Sequence, residues 1–425
     1  MSAGERRELP FGHLSRAPRQ QYFLLAAHDS RGSLCLGYKP CGGRRKKATF
    51  LVTTKTVVYE TTKQGGSPMR KVQDFVIKGK EIFVGLEDAK KTWKLCVRSD
   101  RRVIHEPSME AKYEVLKSYF LNKFPECKIN VMYEAGFSGF GLHDELERDG
   151  FHCIVTPPHT VTTEKVQKVK NDRVDCRRLS KNLESGDYRS CAVPSKQLRE
   201  DRQISRLYGQ IHGNIVATKN RIRRTLEFHG LDRHFPSGAW RDVQYKTLSE
   251  QIKALGVSAS LQFCFKKMLA ELDQLRKHKA DILKELRKLA KNEQYKSSVS
   301  IIGSVPGIGI LTAIRLALEW GDVRRFKRKE NFSSFLGLIP GEYSSGEQER
   351  KGHITKQGNR SVRKWLVESA WICIRKDPVM LGKYNTIVHN SGSVKKAIVA
   401  VARKLALRIR SLLIMNKPYL VGVIE

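Results

Sequence analysis

The sequence predicts an α/β domain followed by a mostly helical region, and three patterns indicate this order. Short apolar runs alternate with amphipathic stretches over residues 81–180. Heptad-spaced apolar residues then mark long helices over 198–293. A glycine-rich turn and further amphipathic stretches fill the remainder. The predicted domains are an arm at 1–76, an α/β domain at 77–197, a coiled-coil segment at 198–296 and a C-terminal domain at 297–425.

The chain is strongly basic, with 79 Lys and Arg against 43 acids among its 425 residues, a net charge of +36. An excess of this size indicates a polyanionic partner. A membrane is a weaker hypothesis, because the cations are spread along the chain and no apolar run reaches the roughly 18–20 residues of a spanning helix. The nine cysteines form no CxxC pair. We therefore expect reduced thiols in a cytoplasmic protein, without a structural zinc site.

The first 68 residues have little helical periodicity and carry 12 Lys or Arg against 4 Asp or Glu. This composition is typical of a disordered basic arm. A second hypothesis is that these residues are not native protein and that translation begins at Met69, just before the first predicted strand. A chain that starts at Met69 is then expected to fold and to keep its specific activity.

The predicted α/β domain has the element order of an RNase H-like core. Short apolar runs, and at 92–98 apolar alternation, predict strands, and apolar spacing of three and four residues predicts helices. The order is strand, hairpin partner, helix, strand, helix, strand, at 82–86, 92–98, 112–123, 129–133, 139–148 and 151–155. In open sheets of this kind, ligands bind beyond the ends of the strands.

Four acids fall where such a domain would bring them together. Glu87 follows the first strand, and Glu134 follows the strand at 129–133. Asp172 and Asp175 are three residues apart and therefore share one face of a helix. Converging carboxylates repel one another unless cations lie between them, and oxygen ligands suit Mg²⁺. The four acids are the predicted metal ligands and catalytic carboxylates.

The middle segment predicts two long helices with coiled-coil spacing, joined by a connecting turn at 230–257. Lys279 takes one position of the apolar seam. Two interpretations stay open, namely an antiparallel pair within one chain and a dimerisation or RNA-contacting arm. The seam residues are Ile204, Tyr208, Ile211, Ile215, Thr218 and Ile222 in the first helix, and Met268, Leu272, Leu275, Ile282, Leu286 and Leu289 in the second.

The C-terminal domain opens with a glycine turn at 305–309 that leads into an apolar helix at 311–318, the pattern of a helix-hairpin-helix. A plain connector between helices is the other interpretation. Further on, Ser345 precedes Gly346 within a cationic loop, an arrangement that nucleophilic attack on a phosphodiester requires. Residues 394–415 form a basic amphipathic helix, which suits packing with its cations towards nucleic acid or, less well, a membrane surface.

Several motifs together resemble one family over roughly residues 81–415. The motifs are SVPGIG, E-x-G-D-x-x-R-F at 319–326, FLGLIPGEYSSG running to KQGNRSVRKWLVESA, Glu134-Ala135-Gly136, and the Asp172–Asp175 pair. This set resembles the DEDD-type insertion-sequence transposases, the bridge-RNA-guided serine recombinases related to Piv-type DNA invertases. The resemblance implies a RuvC-like fold for the first domain.

The resemblance also implies roles for individual residues. Ser345 matches the family's nucleophile, and the four acids match its DEDD tetrad. Two positions depart from the pattern, because Glu87 stands where the family has Asp and Cys176 stands where it has Ala. Asp88 is adjacent but would point to the other face of an extended chain, so Glu87 is assigned to the tetrad.

The function expected on this basis is site-specific DNA recombination through a phosphoserine link to DNA. The implied cofactor is Mg²⁺, and the implied partners are DNA, a structured guide RNA and further copies of the chain in a dimer or tetramer. Two other functions remain open: a metal-dependent Holliday-junction-resolvase-like nuclease, and an inactive nucleic-acid-binding relative in which Glu87 marks a decayed site.

Overall fold

A computed structural model describes residues 24–28, 34–38, 76–158, 171–238, 240–342 and 351–422. The chain divides into two compact units, of which the first ends at Cys191 and the second begins at Ala192. The finer boundaries at residues 76, 197 and 296 stay predictions. Within the arm, β1 (Leu24–His28) and β2 (Leu34–Tyr38) form an antiparallel hairpin that the sequence analysis did not predict.

The first unit is built on a six-stranded mixed sheet with the order β5-β4-β3-β7-β8, and β6 pairs with β4. Strand β3 pairs with β7, and β7 with β8, in parallel, whereas the pairs of β4 are antiparallel. The strands are β3 (Glu81–Glu87), β4 (Thr92–Ser99), β5 (Arg102–His105), β6 (Ser108–Glu110), β7 (Lys128–Glu134) and β8 (His152–Thr156). The helices are α1 (Tyr113–Lys123), α2 (Gly141–Arg148) and α3 (Asp172–Ser185).

All six predicted elements of this domain are present, so the mixed α/β class is confirmed. Their ends differ from the predicted ones by one or two residues. Strands β5 and β6 were not predicted; they are short, and their residues are exposed or half-buried. Such strands carry little of the apolar alternation that marks a strand in a sequence.

The two faces of β3 have different partners. Ile82, Val84 and Leu86 are fully buried on one face, because alternate residues of a strand point the same way. Gly85 points to the other face, where a Cβ atom would lie 2.1 Å from the carbonyl oxygen of Cys176 in α3. The backbone of α3 therefore lies directly on β3, and no side chain larger than hydrogen fits between them.

The second unit begins with a pair of long helices, α4 (Lys196–Phe228) and α6 (Ala259–Lys291). Ile222, near the end of α4, shares a buried cluster with Phe265 near the start of α6. Tyr208, near the start of α4, shares another with Leu286 near the end of α6. The two helices are therefore antiparallel, and the interpretation as a pair within one chain is confirmed.

The connecting turn predicted at 230–257 is wrong in part, because it contains α5 (Asp242–Ala254). Tyr245, Leu248 and Ile252 of α5 are buried in the cluster that α4 and α6 form. Their spacing of three and four residues is helical. The glycines and Pro236 that flank this short stretch favour a turn, and they outweigh its few apolar residues in the sequence.

The rest of the second unit confirms the prediction of a mostly helical region. Strands β9 and β10 pair antiparallel, and α12 packs its apolar face, including Val401, Leu405 and Ile409, into the core. No described helix has the length and apolar character needed to cross a membrane. The elements are α7 (Glu293–Gly303), α8 (Ile310–Trp320), α9 (Lys329–Leu336), β9 (Pro340–Glu342), β10 (Lys351–Ile354), α10 (Arg360–Cys373), α11 (Pro378–Ser391) and α12 (Val394–Met415).

The predicted glycine turn joins α7 to α8, and Gly307 in it has a φ of 89°. A Cβ atom on Gly307 would lie 2.8 Å from the carbonyl oxygen of Ser369 in α10. The glycine is therefore required twice, once for the left-handed backbone and once for the close approach of α10. At this position the turn faces the protein core.

Candidate active site and basic loop

Two of the predicted acids end neighbouring parallel strands of the first unit. Leu86 of β3 is opposite Tyr133 of β7 in the ladder, and Glu87 and Glu134 follow them. Because carboxyl ends of parallel strands lie at one edge of a sheet, both acids are at the same edge. Glu134 is held there by the next peptide group, since the Ala135 amide donates to the Thr156 carbonyl of β8 at 2.8 Å.

The other two acids lie in the first turn of α3. Asn171 caps this helix, because its side-chain oxygen accepts a hydrogen bond from the Arg173 amide at 3.1 Å. Asp172 and Asp175 follow the cap, where the positive end of the helix dipole favours carboxylates. The contact of α3 with Gly85 fixes this first turn beside the end of β3.

An arginine that the sequence analysis did not single out lies between the sheet and the helix acids. Nη2 of Arg178 is 2.8 Å from Oδ1 of Asp175 and 3.6 Å from Oε1 of Glu134. Asp175 is only 8% exposed, and Nε of Arg178 is buried without a hydrogen-bond partner among the described residues. The guanidinium thus bridges two of the predicted metal ligands.

A lysine approaches the other helix acid. Nζ of Lys94 donates to Oδ2 of Asp172 at 2.6 Å, and Lys94 is the residue opposite Glu87 in the β3–β4 ladder. Next to them, the Cys176 thiol donates to the Lys94 carbonyl at 3.0 Å. Burial above all, together with the nearby Glu87 and Asp172 carboxylates, raises the pKa of Cys176 to about 12, so it stays a neutral thiol.

The neighbour of Glu87 has a separate role. The carboxylate of Asp88 accepts hydrogen bonds from Nε1 of Trp93 at 3.1 Å and from the Ser138 hydroxyl. Ser138 belongs to the loop that follows β7. Asp88 therefore ties together the loops after β3 and β7, and its oxygens are engaged in that contact.

The chemistry of these residues fits a divalent cation, because all four candidate ligands are carboxylates. The guanidinium of Arg178 already supplies positive charge to both Glu134 and Asp175. Among the described residues, however, no three His, Cys, Asp or Glu side chains are grouped closely enough to hold a metal ion. A metal ion bound by Glu134 and Asp175 would therefore compete with the Arg178 guanidinium for their oxygens.

The predicted nucleophile, Ser345, lies outside the described residues. The strands on either side of it, β9 and β10, pair antiparallel, with Pro340 opposite Ile354. The chain beyond β10 is fixed by backbone contacts to the end of α9. The Thr355 amide donates to the Ile339 carbonyl at 2.9 Å, and the Lys356 amide donates to the Gly337 carbonyl at 3.3 Å.

Two glycines allow this contact between segments. A Cβ atom on Gly337 would lie 2.0 Å from the Gln357 carbonyl oxygen, and one on Gly358 would lie 2.2 Å from the Phe335 carbonyl oxygen. Both have positive φ, at 65° and 102°. Lys356 has a φ of 55°, a left-handed conformation that costs a residue with a Cβ about 1–2 kcal/mol. The surrounding contacts hold Lys356 in this conformation.

Residues 356–364 comprise the turn after β10 and the start of α10. We call this segment the basic loop, and its cations divide into two kinds. Arg363 is structural, since its Nη1 donates to the carbonyls of Leu336, Gln357 and Gly358 at 3.3, 3.4 and 3.0 Å. Burial, and then the charge of Arg360, lowers the pKa of Arg363. Lys356, Arg360 and Lys364 are exposed instead.

The E-x-G-D-x-x-R-F motif has a structural role. Glu319 is buried, and its carboxylate lies 3.2 Å from Nε of Arg206 and 3.7 Å from Nε of Arg202, both in α4. Asp322 accepts a hydrogen bond from the Arg324 amide and starts a short 3₁₀ turn. The motif therefore fixes α8 to the long helix α4.

Comparisons with known proteins agree with both units. Residues 84–230 match the DEDD model of the IS110 type, described as a transposase, and residues 299–385 match the model described as the transposase IS116/IS110/IS902 family. A Pseudomonas aeruginosa protein named "Probable family 20 transposase" is 32% identical over 258 residues, which are 60% of this chain and 74% of the relative.

Two further relatives are named for insertion sequences. The transposase for IS1111A of Coxiella burnetii is 26% identical over 290 residues, 67% of this chain and 75% of the relative. The transposase for IS1533 of Leptospira borgpetersenii is 21% identical over 298 residues, 69% of this chain and 85% of the relative.

The mixed sheet with acids at one edge, the helical second unit and these matches define a transposase of the DEDD class. The chain belongs to the IS110/IS116/IS902 family of insertion-sequence transposases. It is therefore an enzyme that cuts and rejoins DNA. The family implies dependence on a divalent metal ion.

Arg178 and Lys94 are the residues of this site that the sequence analysis missed. Arg178 follows Asp175 by three residues, the spacing of neighbours on a helix face, so the sequence contained a local signal for it. Lys94 had no such signal, because its pairing with Asp172 joins positions 78 residues apart. The close contacts of Gly337 with Gln357 and of Gly358 with Phe335 had no local signal in the sequence either.

Proposed function

We propose that this transposase cleaves and rejoins DNA through Ser345, assisted by a metal ion at Glu87, Glu134, Asp172 and Asp175 in a RuvC-like first unit. One observation carries the proposal. Glu134 and Asp175, from a strand end and a helix start, meet on a single cation at the edge of the sheet. Carboxylates this close repel one another unless a cation lies between them, and they lie at the edge of the sheet where ligands bind.

The proposed reaction is a pair of transesterifications. The hydroxyl of Ser345 gives up its proton and its oxygen attacks phosphorus. The bond from phosphorus to a sugar oxygen breaks, and that sugar oxygen takes up a proton. The product is a phosphoserine link between protein and DNA. A sugar hydroxyl of another DNA end then gives up its proton and attacks the same phosphorus, and the released serine oxygen takes up a proton. One phosphodiester is exchanged for another, so no nucleotide cofactor is consumed.

The residues of the chain would support these steps in two ways. A Mg²⁺ ion held by the four acids would supply positive charge to the scissile phosphate. The exposed cations of the basic loop, Lys356, Arg360 and Lys364, would bind neighbouring phosphates and fix the strand close to the serine segment. Positioning of this kind accounts for a large part of catalysis in phosphoryl transfer.

The partners that we propose beyond DNA are a structured guide RNA and other copies of the chain, in a dimer or tetramer in the cytoplasm. The net charge of +36 supports nucleic-acid partners in general. The guide RNA and the oligomer rest on the family resemblance.

A covalent adduct tests the serine mechanism. Incubation with DNA of the element ends, nicked so that the cleaved strand dissociates, should trap a protein–DNA adduct that survives denaturation. Ser345→Ala should lose the adduct and lower cleavage by roughly 10³-fold or more, while its neighbour Ser344→Ala should form it normally. Adduct formation by Ser345→Ala would overturn the assignment.

The gathered acids of the first unit favour one second candidate, a metal-dependent nuclease in which the carboxylates activate water and Ser345 is a loop residue. This candidate predicts cleavage without any adduct. Metal-dependent cutting by Ser345→Ala at the parental rate would select it over the serine mechanism.

A further inference from the structure

A cavity of about 720 Å³ lies beside the basic loop, and its walls combine two chemistries. One part is cationic, with Lys356, Arg360, Arg363 and Lys364, and contains one acid, Glu368, which pairs with Lys364 at 3.7 Å. The other part is apolar, with Leu338, Ile354, Val367, Trp371 and Val399. We call this cavity the α10 groove.

The helix α10 sets the spacing of the two parts. Lys364, Val367 and Trp371 are separated by three and four residues and therefore lie along one face. At 1.5 Å per residue, the indole is about 10 Å along the helix axis from Lys364. Arg360, in the first turn, extends the cationic end by about another 6 Å. A ligand that follows this face meets cations first and an aromatic ring afterwards.

Trp371 is not a core residue. It is 37% exposed, and its described ring contact is with Tyr384, at 6.0 Å between centroids and an angle of 61°. Tyr384 thus supports the indole, while over a third of Trp371 faces solvent. An exposed tryptophan next to apolar side chains is suited to contact a flat apolar group.

The cationic part is available to an anion. Lys356 and Arg360 are exposed and have no carboxylate partner among the described residues. Lys356 is also held in a left-handed backbone conformation by the Gly337 contact, which fixes where its side chain begins. Strain retained at a cationic position next to a cavity points to a binding role.

We propose that the α10 groove binds an unpaired segment of nucleic acid, with a base stacked on Trp371 and the adjoining phosphates on Lys356, Arg360 and Lys364. In a duplex the faces of the bases are covered by their neighbours, so stacking on a side chain requires an unpaired base. This inference rests on the proposed function in one respect, namely that the second unit handles the nucleic acid being exchanged. A displaced DNA strand and a loop of a guide RNA share the required chemistry.

The test measures binding of the full-length protein to three labelled probes, a short oligothymidylate, the matching oligouridylate and a blunt DNA duplex, by fluorescence anisotropy. Trp371→Ala should weaken binding of the single strands roughly tenfold and leave duplex binding nearly unchanged. Trp371→Phe should keep most of the affinity, because a ring remains for stacking. The tighter of the two single strands identifies the source as DNA or RNA.

Matched controls separate the groove from general effects. Phe263→Ala removes an aromatic that is 60% exposed on α6, outside the groove, and should leave single-strand binding unchanged. Arg360→Gln should weaken every probe and lower the slope of log affinity against log salt by about one, whereas Lys383→Gln on α11 should do so less. If Trp371→Ala folds poorly, Arg360→Gln still tests the cationic part of the groove, and Trp371→Phe still tests its aromatic part.

Two results would overturn the proposal. One is single-strand affinity of Trp371→Ala equal to that of Phe263→Ala. The other is an equal loss for single strands and duplex, which would make the groove a site for duplex backbone. The readout is binding alone, so it is independent of Ser345. If Ser345→Ala cuts DNA normally while Trp371→Ala loses single-strand binding, the serine mechanism fails and the groove stands.

Discussion

The acidic edge of the first unit and the basic loop of the second are built in the same way but carry opposite charge. In each, a glycine lets two backbone segments approach closely: Gly85 receives Cys176 of α3, and Gly337 receives Gln357. In the first unit the contact gathers carboxylates, and Arg178 and Lys94 compensate them. In the second it gathers exposed cations, which have few acids beside them.

The difference shows what each unit is prepared to bind. Under the proposed function, the gathered acids would exchange the Arg178 guanidinium and the Lys94 ammonium for a metal ion, which would neutralise them in the same way. Exposed cations on a rigid loop need an external anion, and the sugar-phosphate backbone supplies a row of them. Metal assistance is therefore expected to depend on the first unit, whereas the Ser345 nucleophile and most of the affinity for nucleic acid belong to the second.

After the loss of the Ser345 hydroxyl, the largest effect should come from a single acid of the first unit. Glu134→Gln keeps the size of the side chain but removes its charge, so metal-assisted cleavage should fall by roughly 10²- to 10³-fold, with DNA affinity unchanged. Cleavage and binding are measured on the same element ends.

The matched control is Glu110→Gln on β6, where the glutamate pairs only with Lys112, at 2.7 Å, among the described residues. It should cleave normally. Parent protein that cuts equally well with and without chelator would refute the metal assignment, and loss of DNA binding in Glu134→Gln would refute the separation of roles.

A methyl group on Gly85 should have the next largest effect, on folding. Its Cβ atom would meet the Cys176 carbonyl at 2.1 Å, so α3 must move away from β3, at a cost of about 2 kcal/mol or more. Hydrogen exchange of β3 and β7 should accelerate, while exchange of α10 and α12 should not.

Gly141→Ala is the control for this change, because nothing lies within 4 Å of the added atom at the start of α2. Gly337→Ala is the counterpart in the second unit, where the added atom would be 2.0 Å from the Gln357 carbonyl. It should accelerate exchange near the basic loop alone. Equal responses to Gly85→Ala and Gly141→Ala would show that the β3–α3 contact is not tight.

The sequence was sufficient for the parts of these sites that depend on local patterns. Short apolar runs located β3 and β7, and the acids at their ends followed from the geometry of parallel strands. Helical spacing put Asp172 and Asp175 on one face. Contacts between distant segments give no periodic pattern in the sequence. The close approach of Gly337 to Gln357 and the pairing of Lys94 with Asp172 were therefore not predictable from the residues alone.

The helix α5, which was predicted as part of a turn, was missed for the same reason: its signal comes from contacts between distant segments. Tyr245, Leu248 and Ile252 of α5 are too few to make a long periodic pattern. They form a helix face that is buried against α4 and α6. Propensity signals from Pro236 and the glycines dominated the prediction, whereas tertiary packing decides the structure. The basic loop shows the converse case, since its cations were evident but their rigid placement was not.

The smallest expected effect tests the exchange of a guanidinium for a metal ion. Arg178→Met removes the cation shared by Glu134 and Asp175, and Asp175 is 8% exposed. Without metal, repulsion between the acids should lower the thermal midpoint of the first unit by a few degrees, corresponding to about 1 kcal/mol. Added Mg²⁺ should then raise that midpoint by more than it does in the parent, because no guanidinium competes with the ion.

Arg177→Met is the control for this last change, because Arg177 adjoins Arg178 but pairs with Glu106, at 2.5 and 2.6 Å, away from the four acids. It should lower the midpoint without changing the response to Mg²⁺. Thermal unfolding over a Mg²⁺ titration compares the two variants, and hydrogen exchange of β7 assigns the change to the first unit. An equal Mg²⁺ response in both variants would mean that Arg178 does not occupy the position of the metal, and that the acids bind the ion elsewhere along the edge of the sheet.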